Sequence, residues 1–345
     1  MVLWSAATAS RRSPIFERSA RKYRERQLAV AALHMKSIRL ETHGQPLVER
    51  DLPDPSPGTG EIVVDIMRAG ICHSDAHYRA EPGRAKPPLT LGHEVAGVVS
   101  AACKDVDGIR EGDRVALHYL LHNGDMLGKE RDGGYAQKIV VPAENAIPIP
   151  DNVSFDAAAI MMCSTATAYH ALRLSNIQPH ESLAILGFGG LGVSAAQLAP
   201  TFGVKDVIAV DVVPEKLALA KQFGARTGDL NGVDVALEFT GNATVAQNAL
   251  RALAPGGRLM IVAINLRSMQ IDPFTDLLAK ERRIIGCADH TREELVELME
   301  LARRGELDLS RAVTRTVPLD AGAINAALDD LERQTSHLRT VIAAG

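Results

Sequence analysis

Residues 182–211 read SLAILGFGGLGVSAAQLAPTFGVKDVIAVD: an apolar run, a glycine turn, an amphipathic stretch, and a second apolar run closed by an acid. The turn Gly187-Phe188-Gly189-Gly190-Leu191-Gly192 is a G-x-G-x-x-G pattern. It stands where the mechanism of that pattern requires, directly after a strand and opening a helix. In such a turn Gly187 allows the tight bend, Gly189 lets backbone approach a pyrophosphate, and Gly192 lets helix and strand pack closely. The helix N-terminus adds unpaired N–H groups and the positive end of its dipole, so phosphate binding needs no charged side chain. Asp211 follows Gly192 by 19 residues. A carboxylate there accepts hydrogen bonds from an adenosine ribose and repels a 2′-phosphate, which favours NAD over NADP. A glycine-rich turn without a ligand is the plainer alternative.

Outward from this stretch the pattern continues toward the C-terminus. DVIAVDV, VDVALEF, GRLMIVAI and RIIGC are apolar strands separated by amphipathic helices at 214–223 and 242–253. Strand, helix, strand in that order implies a doubly wound parallel sheet covered on both faces. Only Arg226–Gly232 separates the helix ending near Ala225 from its next strand. That is too short for a full strand-and-helix unit, so the sheet is expected to be shortened at one edge. Toward the N-terminus, from Met35 to about Pro150, short β-like runs (SIRLE, EIVVDIM, EVAGVVSAAC, DRVAL, AQKIVV, NAIPIP) are broken by Pro and Gly, the pattern of a compact β-rich domain. The tail LRTVIAAG has β character and is expected to return to that first domain.

Composition limits the function. With 38 basic and 42 acidic residues the net charge is −4, which gives no basic face for nucleic acid and makes a small-molecule partner the default. Four cysteines in 345 residues are too few for a disulfide scaffold and fit a reducing, cytoplasmic setting. No apolar run approaches the roughly 20 residues that span a bilayer, so no membrane partner is expected. Residues 1–34 differ from the rest: seven Arg or Lys stand against two Glu. This leader is read as an extension outside the fold, with Met35 as the true start. A mitochondrial transit peptide is the alternative, and a surface helix over 16–33 a third.

Cys72 and His93 lie in Gly-flanked segments, Gly70-Ile71-Cys72-His73-Ser74-Asp75 and Gly92-His93-Glu94, and Cys163 just precedes the nucleotide-binding half. Two thiolates and an imidazole would make an open tetrahedral zinc site, its fourth position free for water or substrate. Spacing alone does not bring these three together. Taken singly, each is as well explained as a buried structural residue.

From Met35 onward the chain resembles the zinc-dependent alcohol dehydrogenases of the medium-chain dehydrogenase/reductase superfamily. The similar stretches are GICHSDAH (70–77), LGHEVAGVV (91–99), EGDRV (111–115), DGGYAQKIVV (132–141), Cys163–Leu172 and Gly187–Gly192. The resemblance implies an α/β fold: a GroES-like catalytic domain over 35–166 and 291–345, a Rossmann NAD-binding domain over 167–290, and an active site in the cleft between. It implies one catalytic zinc on Cys72, His93 and Cys163, with Glu94 behind the metal and Asp75 fixing the His93 tautomer. It further implies a proton relay from the substrate alcohol through Ser74 and the cofactor ribose to His77, with hydride passing to NAD. His73, Thr167 and Lys216 fall at positions that contact the cofactor, and the backbone around Thr240 and Ala263 borders the nicotinamide. Family members are usually homodimers or homotetramers.

Departures from the family pattern are also informative. The four-cysteine structural-zinc lobe would fall between Val115 and Gly133, a span that here is short and lacks cysteine, so no structural zinc is expected. His118 and His122 in that loop could bind a metal if helical, but with Asn123-Gly124-Asp125 following, a solvated turn is expected. Tyr119 is placed at the substrate pocket, and Cys103 and Cys287 are read as structural. Polyol dehydrogenases of the superfamily typically use Glu as third ligand, so Cys163 favours ordinary alcohols. Zinc-free quinone or enoyl reductases lack the ligand set. A non-catalytic NAD sensor would have no use for Ser74 and His77.

Overall fold

The computed structural model describes residues 34–264, 267–333 and 336–345. The expected N-terminal extension, His34 apart, lies outside the described residues.

The first half is β-rich. Strands β1 (His34–Leu40), β2 (Val48–Pro53) and β4 (Leu89–Thr90) form a small antiparallel sheet ordered β2-β1-β4. A larger sheet is built on β3 (Glu61–Ile71), β5 (Glu94–Ala102), β6 (Arg114–Leu117), β7 (Lys138–Pro142) and β8 (Ala146–Pro148). Its path is completed from the far end of the chain by β15 (Val313–Pro318) and β16 (Arg339–Ala343), giving the order β15-β16-β3-β5-β6-β8 with β7 on β3. The tail thus returns as β16, antiparallel to β3, with Val341 opposite Gly70. Helix α1 (His73–Ala80) starts at once from the end of β3. Asp75, in its first turn, accepts a hydrogen bond from the Cys72 N–H at 3.0 Å, one arm of a capping box.

Helices α2 (Phe155–Ile160) and α3 (Ala166–Ser175) lead into the second half, joined by a π-helical turn at Met161–Thr165. Then come β9 (Ser182–Leu186), α4 (Gly190–Leu198), β10 (Asp206–Val210), α5 (Pro214–Gln222), β11 (Arg226–Thr227), β12 (Val233–Glu238), α6 (Ala243–Ala252), β13 (Leu253–Ile261) and β14 (Arg283–Gly286). All pairs in this sheet are parallel, in the order β11-β10-β9-β12-β13-β14. Numbered within the domain, that is the 3-2-1-4-5-6 order of a dinucleotide-binding sheet, whose chain reversal lies between β9 and β12. Leu183–Leu186 are all buried because helices cover both faces, which explains the unbroken apolar run. The short edge expected from Arg226–Gly232 is present as β11, two exposed residues on β10.

Helix α7 (Arg292–Arg303) opens with a Thr291–Glu294 capping box and buries Leu295, Leu298, Met299 and Ala302 on one face. Between β15 and β16 runs α8 (Ala321–Glu332). One apolar core joins the halves, from Ala96 and Ile147 through Ala158 and Met162 to Leu183 and Val193. The cleft is therefore held by packed side chains, not by a linker. Among the described residues no helix is long and apolar enough to cross a membrane.

Candidate metal centre and nucleotide turn

Four side chains from three distant segments converge at the junction of the halves. The ligand atoms of Cys72, His93, Glu94 and Cys163 all lie within 4.8 Å of one another. Cys72 is the last residue before α1, His93 immediately precedes β5, and Cys163 projects from the π-helical turn. A π-turn inserts one extra residue into a helix and re-aims a side chain, and such turns recur at functional sites. The two sulfurs are 4.0 Å apart. Zn–S bonds of about 2.3 Å in tetrahedral geometry place sulfurs roughly 3.8 Å apart, so the pair already has the spacing of a ligated edge. Cys72 is held well below the usual thiol range by the hydrogen bond from Cys163, against its burial and with help from His93. The same contact and burial push Cys163 up. Two sulfurs, one buried and one half-buried, sharing a proton are a donor set that a divalent cation completes by replacing that proton.

The surrounding shell is closed. Asp75, fully buried, stands 3.2 Å from His93 Nδ1 and accepts from the Tyr135 hydroxyl at 2.7 Å. With Nδ1 engaged, Nε2 is left to face the metal position. Ser74 Oγ is 3.5 Å from that nitrogen. His77, on the same helix, is stacked on His73 and lies 3.4 Å from Glu81 at the protein surface. Glu94 is buried and ion-paired with Arg339, yet its burial outweighs that pairing and raises it to about 7. Its second oxygen has no hydrogen-bond partner among the described residues.

The nucleotide turn follows the sequence expectation in geometry. Gly187 has φ +93°, the left-handed region, and a Cβ on Gly192 would stand 2.3 Å from the Gly187 carbonyl oxygen. A Cβ on Gly189 would meet nothing within 4 Å, so the turn opens there onto space of the kind a pyrophosphate needs. Asp211 accepts from the N–H groups of Phe188 and Val213 at 2.7 and 2.9 Å, which ties the carboxylate to the turn. Gly190 and Leu191 begin α4. Thr240 follows β12 across the chain reversal, donating its N–H to the buried Glu238 at 2.7 Å, and the Ala263 N–H reaches the Glu238 carbonyl at 3.1 Å. Thr167 and Lys216 are half-buried on α3 and α5, and His73 is turned 2.9 Å from Glu332.

Several participants escaped the sequence reading. Arg339 sits on β16, binds Glu94, and lies so close to Gly190 that a Cβ there would stand 2.6 Å from its Cδ. It thus sets a fixed positive charge between the metal centre and the glycine turn. One arginine in an apolar tail gives no hint of this. Tyr135, inside DGGYAQKIVV, was equally unmarked. His118 corrects the expectation of a solvated turn: it is buried directly after β6, clamped by the Asn145 side chain and backbone, whereas His122 is exposed. No helix forms there, so the two imidazoles do not share a face. Tyr119 packs edge-on against His93 at 5.1 Å. Cys103 and Cys287, like the other two cysteines, are free thiols. A cavity of about 660 Å³ walled by Arg39, Leu52, Asp132 and Lys138 shares no residue with the metal group or the turn.

A β-rich domain bearing two cysteines and a histidine, set against a dinucleotide-binding sheet, defines a nucleotide-dependent metalloenzyme of the dehydrogenase type. The family profile described as the alcohol dehydrogenase GroES-like domain matches residues 58–151, and that of the zinc-binding dehydrogenases matches 190–304. An alcohol dehydrogenase of Geobacillus stearothermophilus is 30% identical over 89% of this chain and 99% of its own length. An NAD-dependent alcohol dehydrogenase of Sulfolobus acidocaldarius is 31% identical with the same coverage. Among solved structures, a thermostable alcohol dehydrogenase from Pyrobaculum aerophilum superposes with a TM-score of 0.82 at 26% identity, over 90% of this chain and 99% of that one. The chain belongs to the zinc-type alcohol dehydrogenases of the medium-chain dehydrogenase/reductase superfamily, and its activity is zinc-dependent, NAD-linked oxidoreduction of alcohols.

Proposed function

We propose that Cys72, His93 and Cys163 are the zinc ligands of this dehydrogenase and that Ser74 and His77 move the substrate proton. The 4.0 Å sulfur pair beside an imidazole fixed by Asp75 is the observation that carries this assignment. When bound, zinc supplies a Lewis acid that makes a hydroxyl more acidic, and NAD supplies the hydride acceptor. Ser74, whose hydroxyl lies 3.5 Å from His93 Nε2, would accept the hydroxyl proton, and His77, nearer the surface on the same helix, would exchange it with water. Asp75 holds the His93 ring, and Tyr135 and the Cys72 N–H hold Asp75 in turn. Glu94 and Arg339 form the charged floor of the site. The N–H groups of Gly187–Gly192 and the Arg339 guanidinium supply the positive field for a pyrophosphate, and Asp211 receives the adenosine ribose. His73, Thr167, Lys216, Thr240 and Ala263 complete the cofactor contacts.

The same reading divides the chain into a catalytic unit, 35–166 with 291–345, and a cofactor unit, 167–290. A homo-oligomer, dimer or tetramer, is favoured by the outer edge of β14, which pairs with no strand among the described residues, and by exposed Ile264, Ile271, Phe274 and Leu278 near it in sequence. A cytoplasmic location is favoured by four free thiols.

Metal analysis with a steady-state alcohol panel tests the assignment. Purified protein is expected to hold close to one zinc per chain and to reduce NAD with simple alcohols, with His77→Ala slowed and rescued by external buffer bases. Full turnover in chelated, metal-free protein, or no effect of His77→Ala at any pH, would remove the corresponding residues.

A further inference from the structure

A second polar cluster lies beside the metal centre and takes no part in the proton path. His290 follows β14 and is 5% exposed, and His118 follows β6 and is 8% exposed. Both ring nitrogens of His290 and Nε2 of His118 are buried without a hydrogen-bond partner among the described residues. The rings stand 5.3 Å apart, and each faces Tyr119, with His290 edge-on at 5.3 Å and His118 tilted at 6.2 Å. Tyr119 in turn packs on His93, so the His290 ring is no farther than roughly 10 Å from that proposed ligand. The Tyr119 hydroxyl donates to Asp289 at 2.8 Å, and Asp289 itself is held at φ +53°, in the left-handed region.

Buried polar atoms left unpaired are costly, and natural proteins keep few of them. Three gathered around Tyr119, beside the metal centre, call for a ligand that satisfies them. We propose that His118 and His290 bind a second, uncharged polar group of the substrate, a hydroxyl remote from the one being oxidised, so that the preferred substrates are diols or other hydroxylated alcohols.

The chemistry selects a neutral group. Burial drives His290 down to about 3, so the ring is uncharged and offers one donor and one acceptor, the complement of a hydroxyl. A carboxylate would be repelled by Asp289, which accepts from Tyr119 beside both rings. Burial and then the Arg292 charge hold His118 down, and that guanidinium is anchored by hydrogen bonds to the carbonyls of Glu144 and Ala146. Tyr119 is committed to Asp289 and separates the two histidines from His93, which keeps their hydrogen bonding apart from the reacting hydroxyl.

The inference rests on the alcohol-oxidising activity, and the test keeps the two separable. With the zinc-loaded enzyme and NAD, kcat/KM is measured for straight-chain alcohols of three to six carbons and for the matching diols hydroxylated at both ends. At least one diol is expected to exceed its monohydric partner about tenfold, and His290→Leu or His118→Leu to erase that ratio. His290→Asn, which retains a donor and an acceptor, should restore part of it. His290→Leu is also expected to raise the melting temperature of the substrate-free protein, since it removes two unpaired buried nitrogens. Equal kcat/KM across all pairs with brisk turnover of the monohydric alcohols overturns this inference alone, and so does a preference for a hydroxy acid or a lower melting temperature in His290→Leu. Absence of turnover with every alcohol would overturn the dehydrogenase assignment and this inference with it.

Discussion

The candidate metal centre collects side chains from residues 72, 93, 94 and 163, buries the first three and half-buries Cys163, and locks them with Asp75, Tyr135 and Arg339. The nucleotide turn is six consecutive residues whose chief asset is the absence of side chains, open to space at Gly189 and closed by backbone contact at Gly192. Function at the first depends on which atoms are present, and at the second on which are missing. Substitution should therefore act differently at the two places. At the metal centre loss should follow chemistry, even for changes of a single atom, and at the turn it should follow available space.

Cys72→Ser is the sharpest way to break that contrast. It alters one atom with little change of shape, yet it should release zinc and lower kcat/KM by about 10³-fold, because the Lewis acid contributes several kcal/mol at the transition state. Metal content and steady-state rates read this directly, and retention of zinc with near-normal turnover would show that the sulfur is not a ligand. One step outward, Asp75→Asn keeps the volume but weakens the hold on His93. Zinc affinity or activity should fall roughly 10–100-fold, the usual cost of losing a ligand's supporting carboxylate. Competition with a chelator of known affinity measures it.

At the turn, Gly192→Ala and Gly189→Ala add the same methyl group. The first would drive Cβ to 2.3 Å from a backbone oxygen, and the second meets nothing within 4 Å. Gly192→Ala should cost about 1–3 kcal/mol of stability, as overpacking does, and should weaken NADH binding roughly tenfold. Gly189→Ala should leave the melting temperature of the cofactor-free protein within about a degree and still weaken NADH, since only the bound dinucleotide occupies that space. Fluorescence titration and thermal melts separate the two, and equal losses of stability would erase the distinction.

The smallest effect is expected away from both sites. Glu181, just before β9, is ion-paired with Arg258 on β13. Burial raises its carboxyl, but the Arg258 guanidinium and the Gln178 N–H more than offset this and hold it below the usual value of 4.5. A folded value depressed below the unfolded one contributes stability that is complete above about pH 5 and disappears as pH falls through the folded value. Glu181→Gln should thus cost about 1 kcal/mol near neutrality, and the gap to the parent protein should close below about pH 4 in denaturant melts. A gap independent of pH would mean that the pair stabilises by packing alone.

The two sites were also unequally visible before the structure. The glycine turn could be read in full because strand, turn, helix and terminal acid are contiguous, and local backbone geometry needs no distant partner. The β runs before Pro150 and the alternating strands after Ser182 could be read for the same reason, as could the shortened edge at Arg226–Gly232. The proposed metal ligands were recognisable only through resemblance, since nothing in the spacing of 72, 93 and 163 makes them neighbours. His118 was misjudged because Asn123-Gly124-Asp125 forms a real turn at the surface while a residue five positions earlier is pulled inward by Asn145. Arg339 and His290 carried no local pattern at all.

The order of residues by itself determined the parallel sheet, its nucleotide turn and the β-rich half, because periodicity and glycine placement act over a few neighbouring residues. Only the tertiary structure decided that the C-terminal strand carries Arg339 from one half of the molecule to the phosphate turn of the other, and that two histidines 172 residues apart meet beside Tyr119. Those contacts are fixed by how two cores pack against each other, a property of the whole chain that no short stretch of it contains.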